Sequence, residues 1–192
     1  MTGLVLASRS PRRCELLRRL GISFITDAPD VDESCSLPAE EAVRLLSFRK
    51  ASASAALHPG QFVLGADTLV SLHGECLGKP KNPEDAVRML RLLSGRTHQV
   101  FTGVTVIAPS GKSFTGHDRT DVTFAMLTED EILSYVLTGE PMDKAGAYAI
   151  QGYFGKYIKG INGEYANVVG LPIARLYYEI KKIGCKEALH RG

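Results

Sequence analysis

No stretch of this sequence approaches the roughly 18 consecutive apolar residues of a membrane-spanning helix. The first apolar segment, Leu4 to Ala7, is interrupted at Arg9 and is too short for the core of a signal peptide. No membrane partner and a cytoplasmic setting are therefore expected. Cys14, Cys35, Cys76 and Cys185 lie far apart, with neither Cys-x-x-Cys spacing nor histidines placed to complete a zinc site. Incidental reduced thiols are expected, and no zinc site. Charge of one sign is also scarce: 23 Lys+Arg against 21 Asp+Glu leave +2, and no basic tract stands out. Bulk charge thus argues against nucleic acid as a partner, and any anion binding must come from local clusters. No internal repeat or low-complexity segment occurs. What remains is an ordinary globular composition, 44% hydrophobic over 192 residues, read as a single domain spanning 1–192.

The stretch Leu4-Val5-Leu6-Ala7-Ser8-Arg9-Ser10-Pro11-Arg12-Arg13 organises the chain. An apolar strand enters, a hydroxyl-rich turn follows, and a helix begins with Ser10 as N-cap and Pro11 at its first position. Free backbone N–H groups, two serines and two arginines converge there. Two readings stand: an anion site suited to a phosphate chain, or a capped helix with two solvated arginines. The helix runs from Arg12 to Leu20, and Ile22 to Thr26 is a second strand. The acidic loop Asp27 to Ser34 carries Asp30, Asp32 and Glu33, which either collect a hard cation or form a solvated surface loop.

Pro38 to Leu57 reads as a long helix with Ala39, Ala42, Val43, Leu46, Ala53 and Leu57 on one face. Lys50 falls within that stripe, where it either snorkels from the core edge or points into a polar cleft. Gln61 to Gly65 is a short strand delivering Asp67-Thr68 at its end, as a reactive pair or as turn residues, and Leu69 to Leu72 continues extended. His73-Gly74 marks a hairpin, with Leu77-Gly78-Lys79-Pro80 on the return. Asn82 and Pro83 open a helix with Ala86, Met89, Leu90 and Leu93 as its core face. Val100–Ile107 and Ser113–Met126 are strands around a turn at Ser110-Gly111. Thr128 to Glu131 is a capping box for a helix ending at Gly139. Ala147–Gln151 and Tyr157–Ile161 read as short strands, Leu171–Ile183 as the closing helix, and the tail from Lys186 as frayed. The irregular alternation predicts an α/β or α+β sheet wrapped by helices.

Taken together, these blocks resemble one family. Leu6-Ala7-Ser8 with Ser10-Pro11-Arg12-Arg13, Pro29-Asp30-Val31-Asp32-Glu33, Gly65-Ala66-Asp67-Thr68 and Leu77-Gly78-Lys79-Pro80 are similar to the signature blocks of the Maf family. Leu93 to His98, Asp143 to Tyr148, Ile150-Gln151-Gly152 and Asn167 to Pro172 continue the match, from about Leu4 to about Ile180. The resemblance implies a nucleoside triphosphate pyrophosphatase, cleaving between the α- and β-phosphates. It implies an α/β fold of the Maf/inosine-triphosphatase type: an elongated mixed sheet flanked by helices in two lobes, with a central nucleotide cleft. It also implies a divalent metal, Mg²⁺ or Mn²⁺, and a homodimer. Asp67 resembles the catalytic base, and Glu33 with Asp67 resembles the metal-holding pair; these two roles for Asp67 compete. Ser8, Arg13, Lys50 and Lys79 would bind the phosphates of the substrate.

Arg12, Thr68 and Gln151 occupy the positions that divide the family by substrate. They resemble the branch acting on dTTP and UTP, not the branch acting on 7-methyl-GTP, which typically has Trp-Arg, Asp-Gln and Ser-Glu-Gly there. Gln151 offers a donor and an acceptor to a pyrimidine edge, and Arg12 replaces a stacking platform for a methylated purine. Arg9 departs from the small residue often found in relatives, at no defining position. Two other readings are a nucleotide-binding regulator of cell division and a pyrophosphatase of other base preference. Intact Asp67, Lys79 and Glu33 count against a catalytically dead binder.

Overall fold

The computed structural model describes residues 3–183, so Cys185 and the tail from Lys186 lie outside the described residues. The opening apolar run is β1 (Leu4–Ala7), buried at every position. Ser10 caps α1 (Pro11–Arg19), its hydroxyl accepting from the Arg13 N–H. Next come β2 (Phe24–Thr26), α2 (Ala39–Leu57), β3 (Phe62–Leu72), β4 (Glu75–Leu77) and α3 (Pro83–Leu93). Then follow β5 (Thr97–Ile107), β6 (Ser113–Phe124) and α4 (Glu129–Leu137), the last with both halves of its capping box formed. Short 3₁₀ turns occupy Glu140–Asp143, Ala145–Ala147 and Tyr153–Tyr157 before β7 (Ile158–Asn162), α5 (Tyr165–Val169) and α6 (Ile173–Lys182). The seven strands form one mixed sheet in the order β2-β1-β3-β5-β6-β7, with β4 beside β3. Among the described residues, no helix is long and apolar enough to cross a membrane.

The chain forms two compact units. The first comprises Met1–Asp67, Thr102–Asp118 and Gly170–Gly192; the second comprises Thr68–Phe101 and Arg119–Val169. In the first unit, β1 runs parallel to both β2 and β3, pairing Leu4 with Phe24 and Phe62. A short apolar run without alternation fits this position, since a strand between parallel partners is covered on both faces. Val5, Ala7, Val63 and Ala51 form a small core beneath α2. In the second unit, α3 buries Ala86, Met89, Leu90 and Leu93, the set that its periodicity picks out. These pack with Tyr135, Tyr148, Phe124 and Phe154 in a larger core.

Three local expectations change. The strand at Gln61–Gly65 and the extended run Leu69–Leu72 are one strand: β3 passes straight through Asp67-Thr68, pairing with β1 as far as Gly65 and with β4 from Val70. Gly65 is a point of close packing within it. The buried face of α2 holds Ala39, Ala42, Val43 and Leu46 as expected, but continues through Ser47, Ala51 and Ser54, while Leu57 is 65% exposed. Small side chains lie inward there because the helix sits too near the sheet for large ones. Ala147–Gln151 is not a strand but a 3₁₀ turn and an irregular loop, with Gly146 at φ 68° and Ala147 at φ 59°. Left-handed backbone of this kind cannot join a ladder. The closing helix stands as α6, and the short α5 before it is an addition that the sequence pattern does not announce.

Candidate active site

The first unit is built around a close approach. A Cβ on Gly65 would lie 2.3 Å from the Ser47 carbonyl oxygen and 2.8 Å from the Ala51 nitrogen. One on Gly103 would lie 2.1 Å from the Val43 carbonyl oxygen. Glycine at both points lets the backbone of α2 rest on the sheet. Asp67 is two residues beyond Gly65 and therefore on the same face of β3. Lys50, the neighbour of Ala51, is delivered to it. Its Nζ donates to Asp67 Oδ1 at 2.5 Å and contacts Glu33 Oε1 at 2.8 Å. The side chains of Lys50 and Asp67 are 15% and 11% exposed, whereas that of Glu33 is 60% exposed. Lys50 thus takes the polar alternative: its stem sits in the apolar stripe and its ammonium joins two carboxylates.

The loop that supplies Glu33 has no regular structure, yet its backbone is tied down. Arg49 Nη1 donates to the carbonyls of Asp32 at 2.8 Å and Ser34 at 3.3 Å, one on each side of Glu33. Asp32 Oδ1 accepts from the Ser34 N–H at 2.9 Å and from its hydroxyl. These two bonds hold the exposed Asp32 carboxyl below its ordinary pKa. Arg49 carries no motif of its own in the sequence; its only signal is adjacency to Lys50.

The opening stretch forms a second group in the same unit. Ser8 Oγ accepts from the Ser10 N–H at 3.2 Å and from Arg13 Nη1 at 3.0 Å, and Arg13 Nε donates to the Gly170 carbonyl at 2.8 Å. Arg13 is thereby a buried tie between the start of α1 and the segment before α6. Burial lowers its pKa most strongly, and the charges of Asp67 and Glu33 act in the opposite direction. Arg12 is half-buried on the same helix. The residues singled out at the start of the chain thus keep electrostatic company with the carboxylate pair.

Thr68, Lys79 and Gln151 belong to the second unit. Thr68 is half-buried on β3, and Lys79 is exposed on the loop leaving β4. That loop is fixed by the 145–147 turn, where the Gly146 N–H donates to the Gly78 carbonyl at 3.0 Å. Gly146 is required twice over, by φ 68° and by Val70, whose Cγ2 would lie 2.9 Å from a Cβ. Gln151 is exposed in a turn closed by Gly152 N–H donating to Ala149 O at 3.3 Å. Sequence reasoning missed the side chains around this turn, Tyr135 and Glu140, because nothing in the spacing joins them to it.

Glu33 and Asp67 accept from one cation, Lys50, so this pair already gathers positive charge. Two carboxylates suit Mg²⁺ or Mn²⁺, which takes one or two of them and completes its shell with water and phosphate oxygens. Among the described residues, no group of three or more His, Cys, Asp or Glu forms a dedicated metal cage. Asp67 Oδ1 is engaged by Lys50. A carboxylate oriented through one oxygen has the other available to accept a proton.

The family model described as Maf-like protein matches residues 3–183. A relative named dTTP/UTP pyrophosphatase from Moorella thermoacetica is 54% identical over 179 residues, covering 92% of each chain. Another of that name from Geobacillus sp. is 48% identical over 186 residues, 96% of this chain and 100% of the relative. Among solved structures, a HAM1 protein from Coxiella burnetii matches with a TM-score of 0.54 at 16% identity, over 95% of this chain and all of that one. The Ham1 protein of Staphylococcus aureus gives 0.53 at 16% identity, over 94% of this chain and all of that one. These two show a shared α/β fold.

Proposed function

This chain belongs to the Maf-like protein family, and from that premise we propose that it hydrolyses dTTP and UTP between the α- and β-phosphates. The products are the nucleoside monophosphate and pyrophosphate. Relatives named for this activity, about half identical over nearly the whole chain, support the substrate. The observation that carries the chemistry is the Lys50 ammonium shared by Glu33 and Asp67.

A triphosphate brings roughly four negative charges, so its hydrolysis needs cations placed before the reaction begins. Lys50, Arg13 and Lys79 supply them, with the Ser8 hydroxyl as a further donor. Asp67, oriented through Oδ1, accepts a proton from the attacking water on Oδ2. The water oxygen bonds to the α-phosphorus, the bond to the bridging oxygen breaks, and pyrophosphate leaves with that electron pair. Glu33 and Asp67 are also the residues that would hold Mg²⁺ or Mn²⁺, which neutralises phosphate charge and makes bound water more acidic. Arg12, Thr68 and Gln151 govern which base is accepted, Gln151 through its paired donor and acceptor. A homodimer in the cytoplasm completes the reading.

A panel of nucleoside triphosphates with Mg²⁺ or Mn²⁺ and product identification tests it. Pyrophosphate is expected from dTTP and UTP, with far less from 7-methyl-GTP. Release of orthophosphate from the same substrates would rule out cleavage between the α- and β-phosphates.

A further inference from the structure

The second unit contains an arrangement with no part in phosphate chemistry. The turn Ala149-Ile150-Gln151-Gly152 is bracketed by two side chains that lie before it in the chain. Tyr135, wholly buried on α4, accepts the Ala149 N–H on its hydroxyl oxygen at 3.3 Å. The same hydroxyl donates to Glu140 Oε1 at 2.9 Å, and Glu140 Oε2 accepts the Tyr153 N–H at 3.1 Å. The backbone is therefore held immediately before and immediately after the turn, through one carboxylate and one phenol. Gly152 adds a steric half to the clamp, since a Cβ there would lie 2.2 Å from Glu140 Oε1. Burial and Glu140 both push the Tyr135 phenol well above its ordinary pKa, so it stays a neutral donor.

Two hydrogen bonds to one carboxylate, plus a contact that only glycine permits, fix a turn more tightly than its own 3.3 Å bond does. What the turn presents is Gln151, exposed between the clamped ends. We infer that Glu140, together with Tyr135, is a positioning residue for base selection: it sets where the Gln151 amide stands and so tunes discrimination among pyrimidine triphosphates. This inference rests on the reading that Gln151 meets the base. A planar amide that must match a donor and an acceptor at once is sensitive to small rotations of its backbone, whereas a point charge is not.

The test compares kcat/KM for dTTP with that for dCTP in the wild type, Gln151→Ala, Glu140→Gln, Gly152→Ala and the double variants with Gln151→Ala. Glu140→Gln keeps volume but removes the charge that strengthens both bonds, and leaves the Tyr135 hydroxyl to accept where it donated. Gly152→Ala displaces the carboxylate without removing it, so the two variants perturb the clamp from opposite sides. Each is expected to lower the dTTP-to-dCTP ratio about tenfold, the scale of one misplaced hydrogen bond, through KM with kcat nearly kept. Added to Gln151→Ala, neither should lower it further. A ratio that falls in Gln151→Ala but holds in both clamp variants would overturn the positioning role. So would clamp losses that add in full to that of Gln151→Ala, the signature of a general structural effect. A ratio unchanged in Gln151→Ala would instead refute base reading by Gln151, and the inference would fall with it.

Discussion

The contact of α2 with β3 at Gly65 makes a quantitative test of how the site is assembled. Replacing Gly65 by Ala adds one methyl group, with its carbon 2.3 Å from the Ser47 carbonyl oxygen and 2.9 Å from the Ala51 Cβ. Real contacts of this kind rarely fall below 3.0 Å, so helix and strand must separate by close to 1 Å. Overpacking of this sort costs about 1–3 kcal/mol. For a chain of this length, each kcal/mol lowers the melting midpoint by roughly 2–4 °C. The functional effect should be larger than the loss of stability. Lys50 adjoins Ala51, and its 2.5 Å bond to Asp67 would stretch beyond the range of a charge-assisted hydrogen bond. Misplacement of a reacting group by about 1 Å costs on the order of 10²-fold in turnover. Pyrophosphate release from dTTP, measured beside thermal unfolding, should show a folded protein with turnover lowered about a hundredfold. A folded Gly65→Ala protein with wild-type turnover would refute the argument that this glycine sets the distance between Lys50 and Asp67.

Three further outcomes are expected. Asp67→Asn should keep the fold and lose most dTTP turnover, because the amide cannot take the proton; near-normal pyrophosphate release would remove Asp67 as the base. Gln151→Glu should shift preference away from pyrimidine triphosphates in competition assays, and an unchanged profile would show that this side chain does not read the base. His98 is fully buried against Tyr148, and burial lowers its pKa from 6.5 to about 4. With the folded value below the unfolded one, neutral His98 contributes stability above pH 6.5, and this is lost as pH falls toward 4. The difference is worth about 2 kcal/mol between pH 7 and pH 5. Urea unfolding of His98→Gln should lack this decrement, and an equal pH slope in both proteins would count against it.

The sequence shows most clearly what depends on local chemistry. The Ser10 and Asn82 caps, the Thr128–Glu131 capping box and the His73-Gly74 hairpin stand where residue type alone puts them. The apolar face of α3 follows its period because large side chains fill a deep core. The face of α2 follows its period through Ala39, Ala42, Val43 and Leu46, but beyond them contact at Gly65 and Gly103 favours Ser47 and Ala51 over Leu57, and hydropathy cannot see distance. Asp67 is legible as chemistry, but its place inside one continuous strand, and the packing role of Gly65 beside it, are not. Tyr135, Glu140 and Arg49 act on backbone atoms well away in sequence, through contacts that leave no periodic trace. Lys50 lies between these cases. Its odd place in a stripe is visible, and only the fold decides between surface and site.

The bracket on the Gln151 turn also bears on how such a protein can diverge. Every bond that fixes the turn is made within the second unit, by residues from 135 to 153, whereas Asp67, Lys50 and Glu33 all belong to the first. On the proposed reading, the contribution of Gln151 to base choice can therefore be retuned by changes within one short span of the chain, apart from Arg12 and Thr68 and from the carboxylate pair. Innovation in substrate range then carries little risk to the reaction itself. That offers a physical reason for the hold on Gln151 to vary without disturbing Asp67, Lys50 and Glu33.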